Sequence, residues 1–385
     1  MLRPESEAEQ AFRAEVRAFL AAAIPGPLRD LTFRPPPEQA MAWYQTLAHK
    51  GWIAPHWPKA FGGMGASPVE QVILLEEMAR AGAPDIPSQG INHLGPLLMH
   101  FGTPAQQARH LPAILGGAVI WCQGYSEPGA GSDLSALRTA ARRDGDDLVV
   151  NGHKIWTTWG QHAHWMFALV RTSNAGKPRE GITFLLIDLA SPGIGRRAIR
   201  NIAGDDEFCE VFFDEVRVPV ENVVGAIDGG WRVATALLDR ERIQLGAPAQ
   251  ALRALERVRR LARQLAPPAR AALADRIAEA ELAVEVLTAA FLDAAERFAA
   301  GQDPGAESSY LKILSTETTQ AVLDIAQELA GPLMALRDPF RLGDALVDPS
   351  EMFLQARRLS IYGGSNEIQR SILADRVLGL KREAR

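Results

Sequence analysis

The densest group of residues able to do chemistry is Gly124-Tyr125-Ser126-Glu127-Pro128-Gly129-Ala130-Gly131-Ser132-Asp133. Glycines let a backbone approach a ligand closely, and exposed N–H groups, together with the hydroxyls of Ser126 and Ser132, suit an anionic or heteroaromatic partner. The run is no dinucleotide fingerprint, because no strand-Gly-x-Gly-x-x-Gly-helix unit surrounds it, and no Gly-Lys-Ser/Thr follows to make a Walker loop. On spacing alone, a turn between domains is an equal reading. A second candidate is a carboxylate. Ala234, Leu237, Leu238, Glu241 and Leu245 share one helical stripe, which sets Glu241 on an otherwise apolar face. Partial desolvation there raises a carboxyl pKa toward the range of a general base, while an ion pair with an arginine of a neighbouring helix is the structural alternative. Asp239 falls off that stripe. His162 and His164 lie close together with no third ligand nearby, so no metal site is expected, and no Gly-x-Ser-x-Gly elbow marks a serine hydrolase.

The elements that must position these residues fall into three stretches. Residues 1–120 read as helices with explicit starts: Ser6 with Glu9, Ser67 with Glu70, and Thr103 with Gln106 form capping boxes, the last two with proline at the first helical position. From residue 121 to 225 the texture turns to short β-rich runs, a small and mostly antiparallel β domain. Strands are expected at Trp165–Val170, Ile182–Ile187 and Glu207–Val218, and Asn151-Gly152 between two apolar runs signals a two-residue hairpin turn. Residues 226–385 return to helix. Ile277, Ala280, Val284, Leu287, Phe291, Ala294 and Phe298 alternate spacings of three and four, the seam of a helix packed lengthwise in a bundle. Arg253, Arg257 and Arg260 line one face of the preceding helix and read as a solvated face rather than a phosphate site.

Composition bounds the function. The 385 residues, 47% hydrophobic and 23% charged, suit a globular protein of two or three domains, and a net charge of −5 gives no case for nucleic acid or an anionic membrane. Two cysteines, Cys122 and Cys209, are too few for a disulfide framework. With no apolar run of about 18 residues, no membrane span is expected, and a cytoplasmic location fits.

Four segments, in order, carry a resemblance. Tyr125 to Asp133 resembles the first signature of the acyl-CoA dehydrogenase family, and Gly152-His153-Lys154-Ile155-Trp156-Thr157-Thr158, Glu210 to Pro219 and Ile361 to Arg370 match its later motifs. The resemblance implies an α+β, mainly α fold: an N-terminal helical domain, a middle β domain and a C-terminal four-helix bundle. It implies FAD as cofactor, its ring contacted by Tyr125, Ser126, Trp156 and Thr158, with Ser365 and Glu367 approaching its far end and Gly331 beside the pyrophosphate. Ser132, Arg242 and Gly363 would face the acyl-CoA. Many members carry the catalytic glutamate directly after the tyrosine of the last motif. Here that position is Gly363, and the base implied is Glu241, the location used by branches resembling isovaleryl- and long-chain acyl-CoA dehydrogenases.

Two elements depart from the family pattern. No Arg-x-x-Phe-Gly segment occurs in Leu252 to Gln264, and the pyrophosphate element appears as Gln327-Glu328-Leu329-Ala330-Gly331-Pro332-Leu333, with one glycine kept and a proline that has no N–H to donate. The leading expectation is oxidation of an acyl-CoA to the trans-2-enoyl-CoA, with electrons passed to an electron-transfer flavoprotein. Long, branched or ring-bearing acyl chains are compatible with Gly363. The assembly expected is a homodimer or homotetramer, with a heteromer with a paralogue as the other form. A same-fold oxidase or monooxygenase, or a non-catalytic subunit, are the alternatives.

Overall fold

The computed structural model describes residues 4–31, 34–174, 176–236, 246–302, 305–331, 333, 336, 339–342 and 345–380. They form two compact units: residues 40–65 with 86–241, and residues 1–39 with 66–85 and 242–385. Among the described residues no helix is long and apolar enough to cross a membrane.

Local chemistry starts three helices where the sequence says. In α1 (Glu7–Ala23), α3 (Pro68–Ala81) and α5 (Pro104–Leu115) the capping hydroxyl accepts the third residue's N–H, and that residue's side chain accepts the cap's own N–H. Each box satisfies two of the donors that a helix start leaves open. Gly82 ends α3 in the left-handed region at φ +64°, where any side chain would also strike the carboxylate of Asp30.

The first unit carries α2 (Pro37–Lys50), α4 (Gly95–Phe101), α5 and a seven-stranded sheet: β1 (Trp121–Gly124), β2 (Ala140–Asp144), β3 (Asp147–Thr158), β4 (Trp165–Arg171), β5 (Ile182–Asp188), β6 (Ile194–Ile199) and β7 (Phe208–Pro219). The order is β1-β4-β2-β3-β7-β6, with β5 also paired to β4. Most pairings are antiparallel, but β1 and the end of β2 run parallel to β4. Alternate residues of β3, β4, β5 and β7, among them Val150, Ala168, Leu185 and Val211, fill one core with Cys122 and Cys209.

The expected turn at Asn151-Gly152 is not there. β3 continues through it, and the hairpin turns six residues earlier, at Gly145-Asp146 between the partners Asp144 and Asp147. Asn151 instead grips β7: its Nδ2 donates to Glu215 Oε1 at 2.6 Å and its Oδ1 accepts the Glu215 N–H at 2.9 Å. Gly152 is glycine for closeness, since a Cβ there would stand 2.6 Å from Thr139 Cα. The helix α6, described over 230–236, starts against β5, where Gly230 lets the backbone of Thr183 and Phe184 approach.

The second unit holds α1, α3, α7 (Ala249–Gln264), α8 (Pro267–Ala272), α9 (Ala274–Ala299), α10 (Glu307–Ala330), a short hairpin of β8 (Phe340–Leu342) and β9 (Ala345–Val347), α11 (Pro349–Ala356) and α12 (Asn366–Arg376). Its core joins Val258 and Leu261 of α7, Val284 and Leu287 of α9, Val322 and Leu329 of α10, and Leu359. Each such side chain contributes roughly 1.5–3 kcal/mol of burial. The α9 seam is buried from Ala280 to Ala294, while Phe298 at its end is exposed.

The arginines of α7 are not a simple solvated face. Arg253 pairs with Asp85, Arg260 with Asp30 and the Arg80 carbonyl, and Arg257 donates to the Leu31 carbonyl. Their acceptors lie more than 160 residues away in sequence, so the helix pattern alone gave no sign of them.

Candidate functional site

In the sheet unit the glycine-rich loop and β3 are fastened together. The Ile155 N–H donates to the Ser126 carbonyl at 3.0 Å. Lys154, fully buried, donates to Glu127 Oε1 at 2.7 Å and to the Tyr125 carbonyl at 3.2 Å. Glu127 in turn accepts the N–H of Arg138 at 2.7 Å and of Thr139 at 2.9 Å, so one carboxylate closes both ends of the loop. Burial pushes the Lys154 ammonium down to about 8, with Glu127 opposing the fall. Burial also acts to raise the Glu127 carboxyl, but Lys154 and the hydrogen bonds outweigh it and hold the group below its ordinary range. The Tyr125 ring is buried edge-on against Phe167 and Phe184, anchoring the loop from its other side.

Above this base the loop is open. Pro128, Gly129 and Gly131 to Asp133 are exposed, and a Cβ built on Gly129 or Gly131 would meet nothing within 4 Å. Among the described residues no group accepts the N–H of Gly129, Gly131 or Ser132. Two residues on from Lys154, the pairing of β3 with β7 slips between Lys154 and Thr157. Trp156 sits in that irregularity at φ +62°, 55% exposed, its ring edge-on to Phe208 at 5.9 Å. A bulge of this kind re-aims a side chain, and here it turns a large aromatic out of the sheet. Thr158 is half-buried at the strand's end.

The other predicted contacts lie in the helical unit. Ser365 caps α12, its Oγ accepting the Ile368 N–H at 3.4 Å, and Glu367 is exposed in the first turn. The local N–H and Ser365 hold the Glu367 carboxyl below its ordinary range. Gly363 and Gly364 take φ of +63° and +78°, and their carbonyls accept Gln369 Nε2 at 2.9 and 3.2 Å. A second buried lysine meets the start of α12: Lys312 of α10 donates to Asn366 Oδ1 at 2.7 Å. Gly331 ends α10 at φ +53°, ψ −130°. Glu241 and Arg242 lie outside the described residues, as do Leu237 to Leu245 of the apolar stripe, although Ala234 is buried.

The structure therefore assembles Tyr125, Ser126, Ser132, Trp156 and Thr158 around one loop and strand, and gathers Gly363, Ser365 and Glu367 at one helix start. The sequence reading gave no role to Glu127, Lys154, Lys312 or Asn366. The available signal was a lysine among apolar strand or helix neighbours, which is ordinarily read as surface.

Comparison with known proteins accounts for nearly the whole chain. Models of the acyl-CoA dehydrogenase N-terminal, middle and C-terminal domains match residues 6–118, 122–216 and 228–378. The chain belongs to the acyl-CoA dehydrogenase family. Acyl-CoA dehydrogenase IpdE1 of Mycobacterium tuberculosis is 40% identical over 97% of this chain and 98% of its own length. Acyl-CoA dehydrogenase FadE26 of the same organism is 34% identical over 98% of both. Among solved structures, the ChsE4-ChsE5 complex from M. tuberculosis aligns with a TM-score of 0.83 at 30% identity over all of both chains. The Tcur3481-Tcur3483 steroid ACAD aligns at 0.84 and 30%, over 99% of each.

An acyl-CoA dehydrogenase is an FAD flavoprotein oxidoreductase with helical outer domains and a middle β domain, and in sequence the helices α1 to α5, the strands β1 to β7 and the helices from α6 on fall in those three parts. The residues present fit the cofactor. A tryptophan held out of its strand offers a face to a flat ring, and a loop with open glycines and uncommitted N–H groups offers room and donors beside it.

Proposed function

We propose that this acyl-CoA dehydrogenase oxidises the α,β carbon–carbon bond of a ring-bearing or otherwise bulky acyl-CoA to the trans-2-enoyl-CoA, with Glu241 as base and an electron-transfer flavoprotein as acceptor. The observation that carries the reading is the Trp156 bulge beside the open loop fastened by Lys154 and Glu127. FAD, when bound, supplies the acceptor for the hydride that leaves the β-carbon. The Glu241 carboxylate takes the α-proton, a role supported by the apolar spacing of its neighbours in the sequence. Trp156, Ser126 and Thr158 hold the cofactor, Ser132 and Arg242 contact the CoA thioester, and Ser365, Glu367 and Gly331 lie toward the far end of FAD. Gly363 leaves room where other branches carry a carboxylate, and the steroid ACAD among the structural relatives supports a ring-bearing acyl group.

One observation favours assembly with a second, related chain over self-assembly. A homo-oligomer would need another grip on the adenosine end of FAD in place of the missing Arg-x-x-Phe-Gly segment, for instance from arginines of α7. Arg253 and Arg260 are already committed to Asp85 and Asp30. The two-component relatives point the same way.

Anaerobic mixing with a panel of acyl-CoA thioesters tests the reading. Ring-bearing thioesters should bleach the flavin, and Glu241→Gln should keep its flavin yet bleach ~10²-fold more slowly or worse. Bleaching by Glu241→Gln at the parent rate refutes the base, and a preparation that binds no FAD, alone or with its paralogue, refutes the function.

A further inference from the structure

The buried pair beneath the glycine-rich loop has a geometry that a plain structural ion pair does not need. Glu127 accepts from Lys154 and from two N–H groups, those of Arg138 and Thr139, which lie 11 and 12 residues further along the chain. Lys154 reaches the Tyr125 carbonyl as well. Both ends of the segment 126–139 are thus joined at a single carboxylate, and that carboxylate is tied to the strand that carries Trp156. The tip of the segment, from Pro128 to Ser132, is closed by the paired hydrogen bonds between Glu127 and Ala130, and Asp133 after it accepts from Ser135 and Ala136.

We propose that Lys154 and Glu127 are positioning residues: together they act as a latch that sets the exposed tip, with Ser132, at a fixed place relative to Trp156, so that cofactor and thioester meet a preformed site. Neither side chain touches a ligand in this proposal. Both are almost wholly buried, and each acts through the main chain it holds. The proposal rests on the flavin reading for two of its three readouts, FAD affinity and acyl-CoA KM, and not for the proteolysis.

A preformed loop matters because an open one must be ordered at the moment of binding, and that ordering lowers affinity. Depth of burial gives the test its leverage. Replacing a buried ion pair by apolar residues of similar size is often neutral for stability, whereas removing one partner leaves an uncompensated charge. The double variant Lys154→Met/Glu127→Leu should therefore fold as the parent does while losing the latch. The isosteric Glu127→Gln serves as a second variant that keeps the shape and gives up the carboxylate.

Three measurements on the protein as purified, with its partner chain where it has one, decide the matter. Trypsin cuts after Arg138, an exposed residue whose N–H the latch holds, and in the double variant this cut should become about tenfold faster or more, with other sites and the melting temperature little changed. FAD titration should show a dissociation constant raised by a similar factor, and KM for the acyl-CoA should rise with kcat nearly kept. Cutting after Arg138 at the parent rate in the double variant, or in Glu127→Gln if the double variant does not fold, overturns the latch. FAD and acyl-CoA affinities at parent values despite faster cutting overturn its positioning role. A parent protein that binds no FAD refutes the flavin reading instead, and the proteolysis then still decides the latch.

Discussion

Lys312 and Asn366 should answer substitution very unequally. The ammonium of Lys312 is fully buried, and burial pulls it from 10.5 down to about 8, with Glu367 and Glu317 opposing the fall and Arg370 adding to it. That fall corresponds to about 3 kcal/mol weighing against the charged form in the folded protein. Lys312→Met removes both the penalty and the 2.7 Å hydrogen bond to Asn366. Asn366 Oδ1 still accepts from Thr316 Oγ1 at 3.3 Å, and its Nδ2 still donates to Glu317 Oε1 at 3.2 Å. The gain and the loss nearly cancel, and the expected change is within about 1 kcal/mol. Asn366→Leu does the opposite: it leaves a buried ammonium without its closest acceptor, at a cost of about 3 kcal/mol or more. Urea midpoints of the full-length protein measure both. The sign of the pH dependence follows from the lowered pKa. Between about 8 and 10.5 the unfolded chain holds a proton on this lysine that the folded protein has released, so this group's contribution to stability rises with pH there. Loss of the acceptor lowers this lysine further in the variant, so the deficit of Asn366→Leu should shrink as pH rises toward about 8, where the variant alone has lost the proton, and stay constant above it. If Lys312→Met costs as much as Asn366→Leu, or if the deficit stays flat as pH rises from about 6 to 8, the buried charge is not what this hydrogen bond serves.

Three further outcomes are expected. Trp156→Ala should leave the melting temperature almost unchanged, since the ring is mostly exposed, while FAD binds about three- to tenfold more weakly by titration. Gly152→Val places carbon within 2.6 Å of the Thr139 backbone and should destabilise by ~1–3 kcal/mol in urea unfolding, an effect that a hairpin turn at this position would not give. Ser67→Ala opens the capping box of α3 and should cost about 1 kcal/mol by the same measurement, with flavin content unaffected.

What could be read from the sequence was local. Ser6, Ser67 and Thr103 act on N–H groups three residues away, so their capping boxes hold whatever the rest of the chain does. Asn151-Gly152 failed for the opposite reason. A turn there would have ended β3, but β7 offers partners on both sides of the site, to Val150 and from Gly152 on, and tertiary pairing outweighed the local preference. The true turn, Asp144-Gly145-Asp146-Asp147, carried its own Asp-Gly signal. The strand β6 went unread because its residues are almost all exposed, with Arg196 and Arg197 in the middle, so no apolar alternation marks it. The arginines of α7 were misread because Asp30 and Asp85, which they pair with, can be found only by folding.

The candidate site shows a subtler limit. Its motifs mix residues that face a ligand with residues spent on holding the motif. Within Tyr125 to Asp133 the carboxylate of Glu127 is wholly used inside the protein, within Gly152 to Thr158 the same is true of Lys154, and within the last motif Asn366 serves Lys312. A match to such motifs therefore establishes two rigidly supported loops as firmly as it establishes any reaction. The chemistry that distinguishes branches depends on where a base stands, and here Gly363 removes it from the motif. The proposed base, Glu241, rests on the branch resemblance and on the apolar spacing of its sequence neighbours, and the bleaching assay with Glu241→Gln decides it.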